Sequence, residues 1–184
     1  MEFTVKRIGE ENRADIDLPN EPFELIGWMK PELRDGEWTY GEVLRKPEEI
    51  REMCFPEENY DFEAMQGEYF FLGAYEGDKC VGLAIFRQDM FRYLYLYDLK
   101  VSKAYRGKGV GQALIAGAME QLVTGKYIGI YTIGQDDNLK ACRFYLKNGF
   151  TIGGFNNRGY DGTGQQGKAD IYFYLKKGMA GNER

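Results

Sequence analysis

Apolar and polar residues alternate along much of this chain, and the alternation predicts a series of β-strands. An EGDK turn at residues 76–79 separates two such runs and predicts a β-hairpin. Near the end of the chain, the run IYFYL is rich in residues that favour strands. The predicted strands are residues 3–8, 68–75, 80–87, 93–101, about 127–132, 151–155 and 169–177.

One segment instead repeats its apolar residues with the period of an α-helix. Residues 111–123 place Leu114, Ala118 and Leu122 along one helical face. Elsewhere the pattern is weaker: residues 9–22 read as loop, residues 37–53 as partly helical with a break at Pro47, and residues 159–167 as a glycine-rich connection. These elements predict an α/β fold, a mixed central β-sheet flanked by helices, in a single domain over residues 1–184.

A second predicted helix, residues 138–150, carries both packing and polar positions. Asn138, Ala141 and Tyr145 are spaced at i, i+3 and i+7, close to one line along the helix. A neighbouring stripe is apolar and consists of Leu139, Cys142 and Leu146. We expect the apolar stripe to enter a core while the Asn138 and Tyr145 edge faces a cleft.

A glycine-rich turn, YRGKGVG, separates the strand at 93–101 from the helix at 111–123. Gly107, Gly109 and Gly111 are expected to take positive φ, and the unpaired N–H groups that begin the helix favour a phosphate or pyrophosphate. The turn lacks the Ser or Thr of a P-loop, and Gln112 occupies the third glycine position of the dinucleotide fingerprint. The alternative is an ordinary flexible turn.

These two segments together resemble the GCN5-related N-acetyltransferase (GNAT) superfamily. RGKGVG is similar to its Arg/Gln-x-x-Gly-x-Gly/Ala pyrophosphate loop, and residues 138–150 match its N-x-x-A-x-x-x-Y-x-x-x-G-F helix. The resemblance covers at least residues 80–177, which would be the acetyl-CoA-binding core. A narrower similarity, to streptothricin acetyltransferases, lies in DIDLPNEPFELIG at residues 15–27 and YDGT at residues 160–163.

The resemblance implies acetyl-CoA as cofactor and assigns roles to residues. Tyr145 would protonate the departing coenzyme A thiolate, and Asn138 would hydrogen-bond the pantetheine arm. Taken alone, a tyrosine such as Tyr145 is more commonly a core residue whose hydroxyl has a partner, and Asn138 is a good helix N-cap. The residues expected to bind the cofactor are Leu99, Val101, Arg106, Gly107, Lys108, Gly109, Val110, Gly111, Gln112, Asn138 and Ala141.

The amino-acid composition limits which partners and reaction types suit this chain. The chain has 29 acidic and 24 basic residues and a formal charge of −5, which disfavours nucleic acid as a partner and suits a cationic substrate. It contains no histidine, so hydrolase triads lack their histidine base and most zinc sites lack a usual ligand, and no metal is expected.

The chain shows neither a secretory signal nor a long apolar run, so no membrane and a cytoplasmic location are expected. Abundant Phe and Tyr are compatible with a homodimer.

Acetylation of an amine needs a proton acceptor, because an alkylammonium with a pKa near 10.4 is almost fully protonated at pH 7. Asp98, at the end of the strand at 93–101, is the first candidate for that general base. Strict alternation places Asp98 on the same face as Leu94 and Leu96. The alternative is a structural ion pair with Lys100. Where streptothricin acetyltransferases commonly have Glu before this Asp, this chain has Tyr97.

The acceptor is expected to be a primary amine of a small cationic compound, most specifically the β-lysine moiety of streptothricin, as in antibiotic resistance. Alternatives are a polyamine or protein-lysine acetyltransferase and a non-catalytic acyl-CoA-binding module. Acidic and aromatic side chains in two segments suit a cation. The residues expected to bind the substrate are Asp17, Glu21, Glu24, Trp28, Tyr160 and Asp161.

Overall fold

The computed structural model describes residues 3–89, 91–122 and 126–178, and its main element is a seven-stranded sheet. Two further sheets have two strands each. The strands are β1 (Thr4–Arg7), β2 (Phe23–Leu25), β3 (Gly27–Arg34), β4 (Glu37–Leu44), β5 (Arg51–Met53), β6 (Tyr69–Glu76), β7 (Lys79–Arg87), β8 (Tyr93–Val101), β9 (Gly129–Gln135), β10 (Thr151–Asn156) and β11 (Asp170–Lys176). The α-helices are α1 (Phe62–Met65), α2 (Val110–Gln121) and α3 (Leu139–Lys147).

The predicted α/β fold with a mixed sheet and flanking helices is confirmed. Strand order in the large sheet is β1-β6-β7-β8-β9-β11-β10. The described residues form two units, 3–22 with 54–130 and 23–53 with 131–178, and the boundary falls inside β9. A single domain over residues 1–184 stays a prediction.

The first unit contains four antiparallel strands, β1, β6, β7 and β8, with α2 on one face. Gly82 on β7 allows the close approach of α2, because a Cβ atom there would lie 2.5 Å from the Val110 side chain. The opposite face carries a second cluster of buried residues, which consists of Ile8, Ile16, Phe71, Leu83 and Ile85.

The side chains of β8 do not alternate strictly between the two faces of the sheet, although the sequence predicted strict alternation. Ile85 pairs with Asp98 while its neighbour Phe86 pairs with Leu96, so Tyr97 is an extra residue in a β-bulge. Paired residues share a face, so Asp98 lies on the face opposite Leu96. The prediction that Asp98 shares a face with Leu94 and Leu96 is therefore wrong.

The second unit contains β10 and β11 as an antiparallel pair, the rest of β9, α3, and two short antiparallel pairs, β3–β4 and β2–β5. The β3–β4 hairpin turns at Asp35 and Gly36, whose φ values are 50° and 83°, as a two-residue hairpin turn requires. α3 packs against β3. At Gly27 a Cβ atom would lie 2.3 Å from the Val43 carbonyl oxygen, so the first residue of β3 must be glycine.

Two regions of the sequence prediction are wrong. Residues 37–53, expected to be partly helical, form β4 and β5 with only a 3₁₀ turn at Pro47–Glu49. Residues 9–22, expected to be loop, contain the 3₁₀ segment Glu10–Asp17. The strands expected at 3–8, 68–75, 80–87, 93–101, 151–155 and 169–177 are present with small shifts at their ends, while the strand expected at about 127–132 begins and ends later, as Gly129–Gln135. The helices expected at 111–123 and 138–150 are present as α2 and α3, with small shifts at their ends. Residue 123 lies outside the described residues.

None of the described helices is long and apolar enough to cross a membrane.

All three cysteines are free thiols: Cys54 is exposed, Cys80 half-buried and Cys142 buried.

Candidate active site

A tight turn before α2 contains the glycines predicted to form a pyrophosphate loop. Gly107 and Gly109 have φ values of 74° and 89°, which glycine adopts without strain. Gly109 caps α2, so the N–H groups of Val110, Gly111 and Gln112 begin the helix without intrahelical acceptors. Gly111 is helical and buried, so the prediction that it takes a positive φ is wrong.

The turn is open around its glycines. A Cβ atom built on Gly107 or Gly109 meets no other atom within 4 Å, so glycine is needed there for backbone conformation rather than for packing. Lys108 and Gln112 beside them are exposed. Backbone N–H groups, the positive end of α2 and an exposed ammonium together suit a phosphate or pyrophosphate.

Arg106 fastens the turn to main-chain carbonyl groups of two other segments. Its guanidinium donates hydrogen bonds to the carbonyl oxygens of Val101, at 3.0 Å, Pro22, at 2.6 Å, and Glu21, at 2.9 Å. The Glu21 carboxylate accepts the N–H of Lys103 at 2.5 Å. Arg106, expected to contact the cofactor, and Glu21, expected to contact the substrate, thus both fasten residues 21–22 to the chain before α2.

Asp98 lies in a cluster of ionisable side chains on β8. Its carboxylate accepts a hydrogen bond from the Tyr60 hydroxyl at 2.9 Å and lies 3.5 Å from the Lys100 ammonium. Lys100, whose side chain is 8% exposed, also pairs with Glu58 at 2.7 Å. Burial raises the pKa of Asp98, an effect opposed by Lys100 and by the Tyr60 hydrogen bond. Asp98 is therefore ion-paired with Lys100, as the alternative reading predicted, and is also a carboxylate of raised proton affinity.

Asn138 and Ala141 form the N-terminal cap of α3. The Asn138 side-chain oxygen accepts the N–H of Ala141 at 3.2 Å, which confirms the N-cap reading. Asn138 also forms a backbone bridge with Gly27. The cap fixes where the helix begins and therefore which residues face inward.

Tyr145 is buried rather than placed on an open edge of α3. Only 9% of it is exposed, and its ring centroid lies 5.4 Å from that of Phe150 and 5.2 Å from that of Phe173. The buried residues of α3 are Leu139, Cys142 and Tyr145, whereas Leu146 is half-buried. The core-facing stripe is thus rotated towards Tyr145 relative to the prediction.

The substrate candidates at the start of the second unit already have cationic partners. Glu24 pairs with Lys140 at 2.5 Å, and the guanidinium of Arg45 lies 3.9 Å from the Trp28 ring centroid. Asp17, in the first unit, is exposed.

Tyr160 anchors the glycine-rich connection before β11. Its hydroxyl donates to Asp170 at 2.8 Å and accepts from the Gln135 amide at 2.9 Å. Burial is the main cause that raises the pKa of Tyr160 to about 12. Asp161 beside it is exposed and pairs with Arg158 at 3.3 Å.

Two acids that the sequence suggests only as residues before a helix cap are buried. Asp136 pairs with Lys30 at 2.9 Å and accepts the N–H of Ala169 at 3.1 Å. Asp137 lies 3.3 Å from Lys168. These contacts tie the end of β9 to β3 and to the start of β11, and nothing local in the sequence signals them.

The chain is similar to known acetyltransferases in sequence. The model of the acetyltransferase (GNAT) family matches residues 31–150. Streptothricin acetyltransferase A of Bacillus subtilis (strain 168) is 32% identical over 165 residues, which cover 90% of this chain and 95% of that protein. Streptothricin acetyltransferase of Escherichia coli is 32% identical over 84 residues, 46% of this chain and 48% of that protein.

Solved structures show the same fold. A Bacillus anthracis str. Ames protein assigned as a streptothricin acetyltransferase, solved with acetyl coenzyme A, superposes with a TM-score of 0.82 at 26% identity, over 96% of this chain and 99% of that chain. Nourseothricin acetyltransferase superposes with a TM-score of 0.76 at 21% identity, over 95% of this chain and 98% of that chain. The chain therefore belongs to the GNAT family of acetyl-CoA-dependent acetyltransferases.

Proposed function

We propose that this enzyme acetylates a primary amine of a small cationic compound, and that the acceptor is the β-lysine amine of streptothricin. The observation that carries the proposal is the identity of 32% with Streptothricin acetyltransferase A of Bacillus subtilis (strain 168) over 90% of the chain. The net charge of −5 supports a cationic acceptor. A cytoplasmic location, a homodimer and the absence of a nucleic-acid partner stay predictions.

The residues at the start of α2 suit the donor. Bound acetyl-CoA supplies a thioester whose acetyl group passes to the amine nitrogen. In our proposal the N–H groups of Val110, Gly111 and Gln112 bind its pyrophosphate, and the Lys108 ammonium neutralises part of its charge. Leu99 and Val101, half-buried at the end of β8, lie just before this turn in the chain and are proposed to contact the pantetheine arm, as are Asn138 and Ala141.

Asp98 is proposed as the general base. A carboxylate whose pKa is raised accepts a proton more readily than an ordinary surface acid, and burial raises the pKa of Asp98. It would take one proton from the acceptor ammonium and leave the amine nitrogen with the lone pair that attacks the thioester. Lys100 and Glu58 would hold the carboxylate in position.

Tyr145 is proposed as the general acid. Its phenol would give its proton to the coenzyme A sulfur as the carbon–sulfur bond breaks, and the second proton that the nitrogen loses on becoming an amide would restore the phenol. Rings on three sides, those of Phe144, Phe150 and Phe173, restrict the motion of the Tyr145 ring and fix the direction of its hydroxyl. The proposal needs no histidine.

Gly109→Ala tests the donor site. We expect it to raise the Kd for acetyl-CoA about tenfold, because a side chain at φ 89° costs about 1–2 kcal/mol and the turn would relax away from its binding geometry. Isothermal titration calorimetry with acetyl-CoA measures the change.

The matched control is Gly77→Ala. Gly77 has a φ of 59° and no atom within 4 Å of a built Cβ, but lies in the turn between β6 and β7. It should lose similar stability and keep its affinity for acetyl-CoA. Wild-type affinity in Gly109→Ala would count against pyrophosphate binding at this turn.

A panel of amines tests the acceptor. We expect kcat/KM for streptothricin to exceed that for spermidine and for a lysine peptide by at least about tenfold, a difference of about 1.4 kcal/mol in transition-state binding. Release of coenzyme A thiol measures the rate. Faster turnover of spermidine or of the peptide would favour a polyamine or protein-lysine acetyltransferase, and no turnover with any amine would favour an acyl-CoA-binding module.

A further inference from the structure

Four tyrosines lie together on the sheet face that carries Asp98. The Tyr97 ring makes edge-on contacts with the other three, with centroid distances of 6.4 Å to Tyr60, 5.6 Å to Tyr69 and 5.8 Å to Tyr95. We call Tyr60, Tyr69, Tyr95 and Tyr97 the tyrosine cluster. The sequence gives no sign of it, because its members come from three separate segments.

The β-bulge explains why the cluster exists. Tyr69 pairs with Arg87, and Arg87 pairs with Tyr95, so these three residues form a row across β6, β7 and β8 on one face. The extra residue in β8 is Tyr97, and a bulge brings such a residue to the same face as its successor. Tyr97 and Asp98 therefore both lie on the sheet face that carries Tyr69, Arg87 and Tyr95.

Exposure within the cluster is uneven. Tyr97 is 42% exposed, whereas Tyr60, Tyr69 and Tyr95 are half-buried. A large exposed aromatic ring supported on three sides by other rings is a preformed apolar surface. Such a ring loses little side-chain freedom when a ligand packs on it.

Two carboxylates lie beside the cluster, with the Lys100 ammonium between them and the Arg87 guanidinium beside Tyr95 and Tyr97. Glu58 and Asp98 face the single ammonium of Lys100 at 2.7 Å and 3.5 Å. The Glu58 side chain is 33% exposed, so solvent and small molecules reach it. A cation that approaches the cluster is therefore attracted by a carboxylate as well as by the rings.

The cluster already accommodates cations of the protein itself. The Lys100 ammonium lies 5.1 Å from the Tyr60 centroid, and the Arg87 guanidinium lies 5.1 Å from the Tyr95 centroid and 6.0 Å from the Tyr97 centroid. These distances fall within the range at which the face of a ring attracts a cation.

We propose that the tyrosine cluster, with Glu58 and Asp98, is the subsite that captures an alkylammonium group of the acceptor. This inference rests on the proposed function and specifies its acceptor site with residues that the sequence did not suggest for the substrate. The rings and the Glu58 carboxylate bind the ammonium in its protonated form, which is nearly its only form at pH 7, and Asp98 beside them is the proposed base. The cluster therefore lowers KM for the acceptor without directly accelerating the chemical step.

The test uses choline, a cation that carries no amine proton, and 3,3-dimethylbutan-1-ol, its uncharged isostere. Calorimetry on the full chain is expected to show choline binding at least about tenfold more tightly than the isostere. Tyr97→Ala should weaken choline binding about threefold to thirtyfold, whereas Tyr97→Phe, which keeps the ring, should leave it within about twofold.

Tyr40→Ala is the matched control, since Tyr40 is a tyrosine on β4 that is 50% exposed. It should bind choline as the wild type does. Equal binding of choline and its isostere, or wild-type choline affinity in Tyr97→Ala, would overturn the inference.

The outcome is separable from that of the proposed function. If choline binds as expected but no amine is acetylated, the subsite stands and the proposed acceptor chemistry fails. If amines are acetylated while Tyr97→Ala leaves their KM unchanged, the proposed function stands and the subsite is wrong.

Discussion

Tyr145→Phe is expected to lower kcat by about 10²- to 10⁴-fold, the range that general acid catalysis contributes. The substitution removes only the phenolic oxygen, so the coenzyme A sulfur would have to leave without a proton from the protein. KM for acetyl-CoA should change little, since the pyrophosphate contacts are at the start of α2. Steady-state release of coenzyme A measures both constants.

The phenylalanine variant is preferred to alanine because of the packing around Tyr145. Its ring contacts Phe150 and Phe173 at centroid distances of 5.4 Å and 5.2 Å, and loss of a buried ring costs about 3–5 kcal/mol of stability. Tyr172→Phe, a half-buried tyrosine on β11, is the control and should keep its full kcat. A wild-type kcat in Tyr145→Phe would assign Tyr145 a packing role alone.

Local signals in the sequence predict the parts of this fold that depend on near neighbours. The turn with Gly107 and Gly109 and the cap at Asn138 are each defined within a few residues, and both form as predicted except that Gly111 is helical. The missed β3–β4 hairpin had a local signal of the same kind, the Asp35-Gly36 pair that favours a two-residue turn. β4 is almost entirely exposed, as is most of the second half of β3, so these strands lack the apolar alternation that reveals a strand.

Features set by pairing between distant segments could not be predicted. The bulge at Tyr97 depends on the register of β8 against β7, which alternation within β8 does not encode. Glu58 and Tyr60 reach Asp98 and Lys100 from about 40 positions earlier in the chain. Arg106 matches a family motif, yet its guanidinium contacts main-chain carbonyls of residues 21–22. In each case the sequence gives the type of side chain but does not indicate which distant residue it contacts.

Asp98→Asn should lower kcat/KM by at least about 10²-fold, because an amide cannot take the proton of the acceptor ammonium. The fold should survive, since Asn keeps an oxygen for the Tyr60 hydroxyl and Lys100 keeps Glu58 at 2.7 Å. Asp15→Asn is a close control: Asp15 is another half-buried carboxylate that accepts a tyrosine hydroxyl, that of Tyr75 at 2.6 Å. It should retain wild-type kcat/KM.

The pH dependence of kcat/KM separates a base from a structural ion pair. The active form of Asp98 is the carboxylate, so activity is lost as the pH falls through its pKa, which burial raises above the ordinary 3.8. Lys100 lowers that pKa, so Lys100→Met should move the acid limb of the profile to higher pH, with thermal unfolding as the check that the protein remains folded. In Asp98→Asn the limb should disappear. An acid limb unchanged in both variants would show that another group takes the proton, and Asp98 would then serve to hold Lys100 and Tyr60 on β8.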